Sequence, residues 1–269
     1  MRTLRLTLAA AAALPALVLA AHAYAQAEVD FESPPRAREA AEAARVKPLL
    51  DAERQRPHLG GTWKVEAFIP ALKTTDGKLP PMKPAARRLY NLRIAARKAG
   101  KADDLTQVCL PPGTPRAMYQ DMPFILTQAP TKVGFYHQYM HVIRHVYLDG
   151  PLKLEPDYDH NWQGFSSGWW EGDTLVIQTE GFNGKLWMDD AGLPQSVNGK
   201  LLERVKLVDP NTLEDTITVT DPDTFTTPWE TKVRFKRLPD DTLITEDICA
   251  WKTVPKSAPM REYAPVPPK

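Results

Sequence analysis

The chain is poor in the residues that build metal centres and covalent chemistry. It has two cysteines in 269 residues, Cys109 and Cys249, and neither stands in a C-x-x-C pair. Two are too few for a zinc ribbon. There is no G-x-S-x-G elbow, no P-loop, no dinucleotide-binding glycine fingerprint and no H-E-x-x-H. After residue 21 no segment is long and apolar enough to cross a bilayer. An excess of charge of one sign is missing too. The 34 basic residues, less Arg2 and Arg5 of an export signal, leave 32 against 33 acidic ones. A mature chain that close to neutral has no overall electrostatic footprint for nucleic acid or anionic lipid.

What is present begins with that export signal, expected over residues 1–25. Arg2 and Arg5 precede an apolar run from Leu6 to Ala21, and Ala23-Tyr24-Ala25 has the small-x-small pattern of a cleavage site. The run contains Pro15 and is short for a membrane span, so cleavage is expected and no integral membrane segment remains after it. The product is expected in a periplasm or outside the cell. In that oxidising setting Cys109 and Cys249 fit one disulfide, which would stabilise by roughly 4–5 kcal/mol in the chain-entropy model.

Residues 26–58 read as an N-terminal helical arm, with Arg36–Arg56 rich in Ala and Glu. Its apolar stripe is mostly alanine, so packed and mobile forms are both open. Residues 59–252 form one further domain with a helical insertion at about 84–102, and residues 253–269 are a proline-rich tail. Strands are expected at 60–69, 122–129, 132–148 (bent or broken once), 163–171, 173–180, 200–209, 212–221, 227–238 and 242–251. Tight turns imply antiparallel neighbours, and about nine such strands must close or stack to manage their edges. The fold class is mainly β. A single antiparallel up-and-down barrel with N-terminal helices fits best, and a β-sandwich is the alternative.

The segment from Lys132 to Gly150 concentrates polar and aromatic groups, with His137, His141 and His145 at every fourth residue. Val, Ile and Tyr suit a strand, and Asp149-Gly150 is a hairpin signal. In a regular strand His137, Tyr139, His141, Ile143, His145 and Tyr147 share one face, with histidines about 13 Å apart. One ion cannot be held by two of them, so neither metal nor cofactor is expected. That face lines a lumen or faces solvent; the spacing leaves both open. Arg144 falls on the opposite face unless a bulge near Gln138 changes the register.

Gly61-Thr62-Trp63 resembles the G-x-W signature of lipocalin-like barrels, in which the indole is implied to close one end. Over residues 59–250 the chain also resembles a large set of secreted bacterial proteins of mostly unassigned function. The matching pieces are Cys109–Arg116, Arg144 with Asp149-Gly150, Gly168–Val176, Glu203-Arg204, Asp221-Pro222 and Pro228-Trp229. Two places depart from that pattern. Gly164-Phe165-Ser166 stands where the family carries Gly-His-Ser, and Pro194-Gln195-Ser196 where it often carries Pro-His-Ser.

These readings favour an exported pocket enzyme with cofactor-independent acid–base chemistry, of lyase, isomerase or hydrolase type, on a small, partly hydrophobic substrate. His141 would be the base, with Tyr139 and Asp189 beside it. His137, Arg144, His145, Trp187 and Arg116 would bind substrate. Trp187 to Asp190, in a glycine-bounded loop, reads as a substrate lid or as a plain hydrophobic cover. The alternatives are a lipocalin-like binder of a hydrophobic or aromatic small molecule, and a structural envelope protein with a filled barrel.

Overall fold

The computed structural model describes residues 35–155, 157–247 and Cys249. The expected export signal and the proline-rich tail lie outside the described residues. Helix α1 (Pro35–Glu53) runs across the division between the two units of the chain, Met1–Pro48 and Leu49–Lys269. Everything that follows concerns the second unit.

Nine strands form there: β1 (Gly61–Val65), β2 (Phe124–Ala129), β3 (Lys132–His137), β4 (Ile143–Tyr147), β5 (Phe165–Glu171), β6 (Thr174–Glu180), β7 (Lys200–Asp209), β8 (Thr212–Thr220) and β9 (Trp229–Arg237). They close into one barrel in chain order, and β9 returns to pair with β1. The fold is a lipocalin-like barrel and not a sandwich. Alternation along each strand drives this closure. In β9, Trp229, Thr231, Val233 and Phe235 point inward, while Glu230, Lys232, Arg234 and Lys236 face solvent.

An odd number of strands cannot alternate direction all the way round a closed meander, so one neighbouring pair must be parallel. That pair is β4–β5. It is joined by the long connection 148–164 and held by only two residue pairs, Val146 with Ser166 and Tyr147 with Ser167. The β5–β6, β6–β7, β7–β8 and β8–β9 pairs are antiparallel with longer ladders. The β4–β5 seam is therefore the weakest line in the wall.

Two expected strands differ in detail: one breaks once, as expected, but reverses on itself, and one is absent among the described residues. Residues 132–148 are two strands, β3 and β4, folded back on each other through a turn at 138–142. Nothing in Gln138–Val142 signals a turn, because it contains no Gly, Pro or Asn. The backbone turns anyway through Met140 (φ 51°) and His141 (φ 52°), a left-handed conformation uncommon outside glycine. A strap holds it there. The Met140 N–H donates to Asp247 Oδ2 at 2.7 Å, and the Asp247 N–H donates to His141 Nε2 at 3.0 Å. Gln138 Nε2 donates to Thr245 Oγ1 at 3.1 Å.

The other correction is residues 242–251, which contain no strand among their described residues. Since β9 already has β8 and β1 beside it, no sheet edge remains for another strand to join. The two differences offset, and the count stays at nine. The strap runs on to Cys249, which is bonded to Cys109 with 5.7 Å between their Cα atoms.

Helix α2 (Pro84–Lys98) is the expected insertion between β1 and β2. Pro84 sits in the first turn, where its missing N–H is harmless, and Arg97 and Lys98 oppose the dipole at the other end. Ala86 and Tyr90 are buried beneath it, and Ile94 packs on the same core. No helix among the described residues is long and apolar enough to cross a membrane.

Candidate functional site

The barrel interior is filled. Trp63, Phe124, Leu126, Phe135, Leu175, Ile177 and Phe235 are fully buried, and each such side chain contributes roughly 1.5–3 kcal/mol. Trp63 donates from Nε1 to the Leu59 carbonyl at 2.9 Å, and the Arg237 guanidinium covers its ring at 4.2 Å.

Among these apolar groups lies a charged cluster. Arg144 forms a two-pronged pair with Glu203, with Nη1 donating to Oε1 at 2.8 Å and Nη2 to Oε2. Its remaining donors reach Ser166 Oγ (3.0 Å), Thr179 Oγ1 (2.7 Å) and Met118 Sδ (3.8 Å). The guanidinium thus has a protein partner at every nitrogen, which leaves it nothing for a substrate. Asp215 lies beside this pair, and burial followed by the Glu203 charge pushes its carboxyl well above the usual carboxylate range. One guanidinium for two buried carboxyls is neutral when Asp215 keeps its proton. Its oxygens, and the hydroxyl of buried Tyr119, accept no hydrogen bond from another described side chain or backbone group in good geometry.

The histidines do not share a face. The turn at 138–142 inverts the parity expected from a single strand. His137 points into the barrel on the same side as Arg144, between Phe124 and Phe135. Burial, and then the Arg144 charge, lower its pKa to about 3, so it is a neutral core group. His141 is exposed in the turn and accepts the Asp247 N–H. His145 is exposed on the outer wall, edge-on to Tyr136.

Arg116, Tyr139 and Trp187 do come together, in a second buried knot outside the barrel strands. Arg116 Nη1 and Nη2 donate to Asp104 at 2.8 and 2.6 Å, and Nε donates to Asp190 at 2.6 Å. Burial works against the guanidinium's charge, and the Asp104 and Asp190 carboxylates outweigh it, so the Arg116 pKa is raised. The guanidinium groups of Arg93 and Arg116 lie over the Trp187 ring, 5.0 and 5.7 Å from its centroid. Burial raises the Tyr139 phenol pKa, against the opposing charge of Arg116 and a bond with Thr106. The space beside Asp104, Arg116 and Trp187 has a volume of about 10 Å³, room for one water.

Asp189 is also fastened. Its carboxylate accepts the backbone N–H groups of Leu72 and Leu193, each at 2.9 Å, and burial raises its pKa against those bonds. The segment Leu186–Asp190 is buried throughout, so the substrate-lid expectation is corrected to a fixed hydrophobic cover.

Open space lies elsewhere, at the parallel seam. Below its two residue pairs, β4 and β5 splay apart, and the 148–164 connection folds over the outer wall. The result is a cleft of about 500 Å³. It is lined by Ile143, Arg144, His145 and Tyr147, by Leu152–Leu154, and by Asn161, Gln163 and Phe165. Ile143 (51% exposed), Tyr147 (49%) and Phe165 (37%) are large apolar groups left uncovered on one patch. The nearby serines are committed to the wall. Ser166 Oγ bonds Arg144 and Thr179, and Ser167 Oγ donates to the carbonyls of Tyr147 and Gly150. Gln195 is buried with its amide unpartnered among the described residues.

Compared with protein-family models and with curated proteins, the chain matches none, so its function rests on its own side chains. Of the expected site residues, His145 and Arg144 line the seam cleft, and Arg144 is already committed to Glu203, Ser166 and Thr179. Leu152 and Lys153 were not singled out in the sequence, and Tyr147 and Phe165 were named there without a binding role. The signal that marks them is the 148–164 connection, too long for an ordinary hairpin loop.

Proposed function

We propose that the chain is an exported binding protein for a small, partly aromatic molecule, which it holds in the cleft at the β4–β5 seam. The observation that carries this is the cleft itself. It has the volume of a small-ligand site and mixes exposed aromatic and aliphatic groups with a few polar ones, His145, Lys153, Asn161 and Gln163. A single uncovered apolar residue would mean nothing, but three on one concave patch mark a contact surface. The reading keeps the small-molecule role that the lipocalin-like resemblance implies and moves the ligand from the lumen to the outer wall. The Cys109–Cys249 disulfide fits export to an oxidising compartment.

Proton-transfer chemistry has less support. At the cleft it would fall to His145 with Asp149 or Lys153, and the serines there are already bonded into the wall. His141 lies outside the cleft, with Nε2 engaged by the strap.

The test is fluorescence titration with N-phenyl-1-naphthylamine, a neutral apolar probe. Saturable binding near one site per chain is expected. Phe165→Asp should weaken it by about tenfold or more, about 1.4 kcal/mol. Val208→Asp, an equally exposed apolar position on β7, should leave it unchanged. Absence of saturable binding, or equal losses in both variants, would sink the proposal.

A further inference from the structure

From Gly77 to Ala102 the chain has eight Lys and Arg residues and no Asp or Glu. A chain that is neutral overall therefore holds one strongly basic segment, and most of it is helix α2. The buried side of α2 faces the core through Ala86 and Tyr90. Several of its cations are tied down: Arg93 donates to the Gly192 carbonyl at 3.2 Å, Arg97 approaches Asp190 at 4.0 Å, and Lys83 bonds the Pro222 carbonyl. Arg88, Lys98 and Lys101 make no ion pair among the described residues.

The outward face of the same helix is apolar. Leu89 and Leu92 stand one turn apart, 39% and 68% exposed, and exposed Ala85, Ala95 and Ala99 extend the stripe along the axis. Arg88 stands within that face, one turn before Leu92, and Lys98 lies along one side of it. An exposed leucine stripe with basic flanks and no acidic residue is the pattern of a helix that lies in a lipid interface. Leucines enter the acyl boundary there, and Lys and Arg meet anionic headgroups. A second copy of this chain is a poor occupant, because it would bring the same cations against these.

We infer that the outer face of α2 docks the protein on an anionic lipid surface, through Leu89 and Leu92 with Arg88, Lys98 and Lys101 around them. The contact is peripheral and separate from the seam cleft, and it does not depend on what the cleft binds.

The experiment is co-sedimentation of the purified protein with phosphatidylcholine vesicles prepared with and without phosphatidylglycerol. Partition is expected to rise by at least about tenfold when phosphatidylglycerol is present, and to fall again in high salt. Leu92→Glu, and separately Arg88→Glu with Lys98→Glu, should each lower it by about tenfold or more. Both variants lie on exposed helix positions, so an unchanged thermal transition is the control for folding. Leu92→Ser serves if the charged variant is unstable. The inference is overturned by equal partition onto both vesicle types or by partition that survives the Leu92 variant. It is also overturned by no partition at all, including the case in which the protein binds a DNA oligomer instead.

Discussion

Arg144 and Glu203 face each other across the barrel interior, one from β4 and one from β7, joined by two hydrogen bonds and shielded from water by Phe135 and Met118. Removing one partner strands the other charge in an apolar core. Arg144→Met or Glu203→Gln should each lower the unfolding free energy by about 3–5 kcal/mol in urea titrations. The double replacement with methionine should recover part of that loss, because the cost lies in the unpaired charge and not in the missing contact.

Asp215 supplies a pH dependence of definite sign. Its pKa is raised in the fold relative to the unfolded chain, by burial and by Glu203, with the Arg144 charge opposing. A raised acid contributes stability that is full below its unfolded pKa and is lost as pH rises toward the folded one. Asp215→Asn, which cannot ionise, should therefore be more stable than the parent at pH 8 and close to it at pH 4. The difference should grow by up to about 1.4 kcal/mol per pH unit in between. A gap that widens toward acid would contradict the placement of the proton on this cluster.

His137 acts at the other limb. Its pKa is lowered to about 3 by burial and by Arg144, so protonation favours unfolding once pH drops below the unfolded value near 6.5. Stability should decline from about pH 6.5 toward pH 3 by up to about 1.4 kcal/mol per unit from this group. His137→Phe, with Phe124 and Phe135 already on either side, should flatten that limb. A chemical denaturation series across this range measures it.

The strap and its disulfide hold the turn between β3 and β4. Cys249→Ser should reduce stability by several kcal/mol, with about 4–5 kcal/mol as the chain-entropy limit for so long a loop. His141→Ala removes only the acceptor for the Asp247 N–H, and about 1 kcal/mol is expected from it. Probe binding at the seam should be untouched by His141→Ala. A large loss there would return His141 to the functional site.

The barrel was legible in the sequence because period-two alternation and short turns survive tertiary packing. The Gly172-Asp173 and Asp209-Pro210-Asn211 turns fall between paired strands where expected. A bend or break within 132–148 was expected, but its form, a turn at 138–142 that folds the chain back on itself, was not legible. Its two left-handed residues are Met and His, and what stabilises them is Asp247, over a hundred positions later. That one turn reversed the parity of Ile143–Tyr147 relative to Lys132–His137. His137 and Arg144 became interior neighbours, and the three histidines separated. The need of an interior Arg144 for a carboxylate could be stated from desolvation alone, and Glu203 meets it. The seam cleft could not be read, because it follows from closing an odd number of strands, which no local pattern reports.

In the proposed function small molecules bind outside the barrel, at the seam. Amide chemical-shift mapping during a titration with 2-naphthol tests it most directly. The expected result is saturable shifts confined to Ile143–Tyr147, Leu152–Leu154 and Asn161–Ser167, the segments that line the cleft. Shifts centred instead on interior residues far from the seam, such as Trp63, Val219 and Phe235, or no saturable shift anywhere, would contradict it.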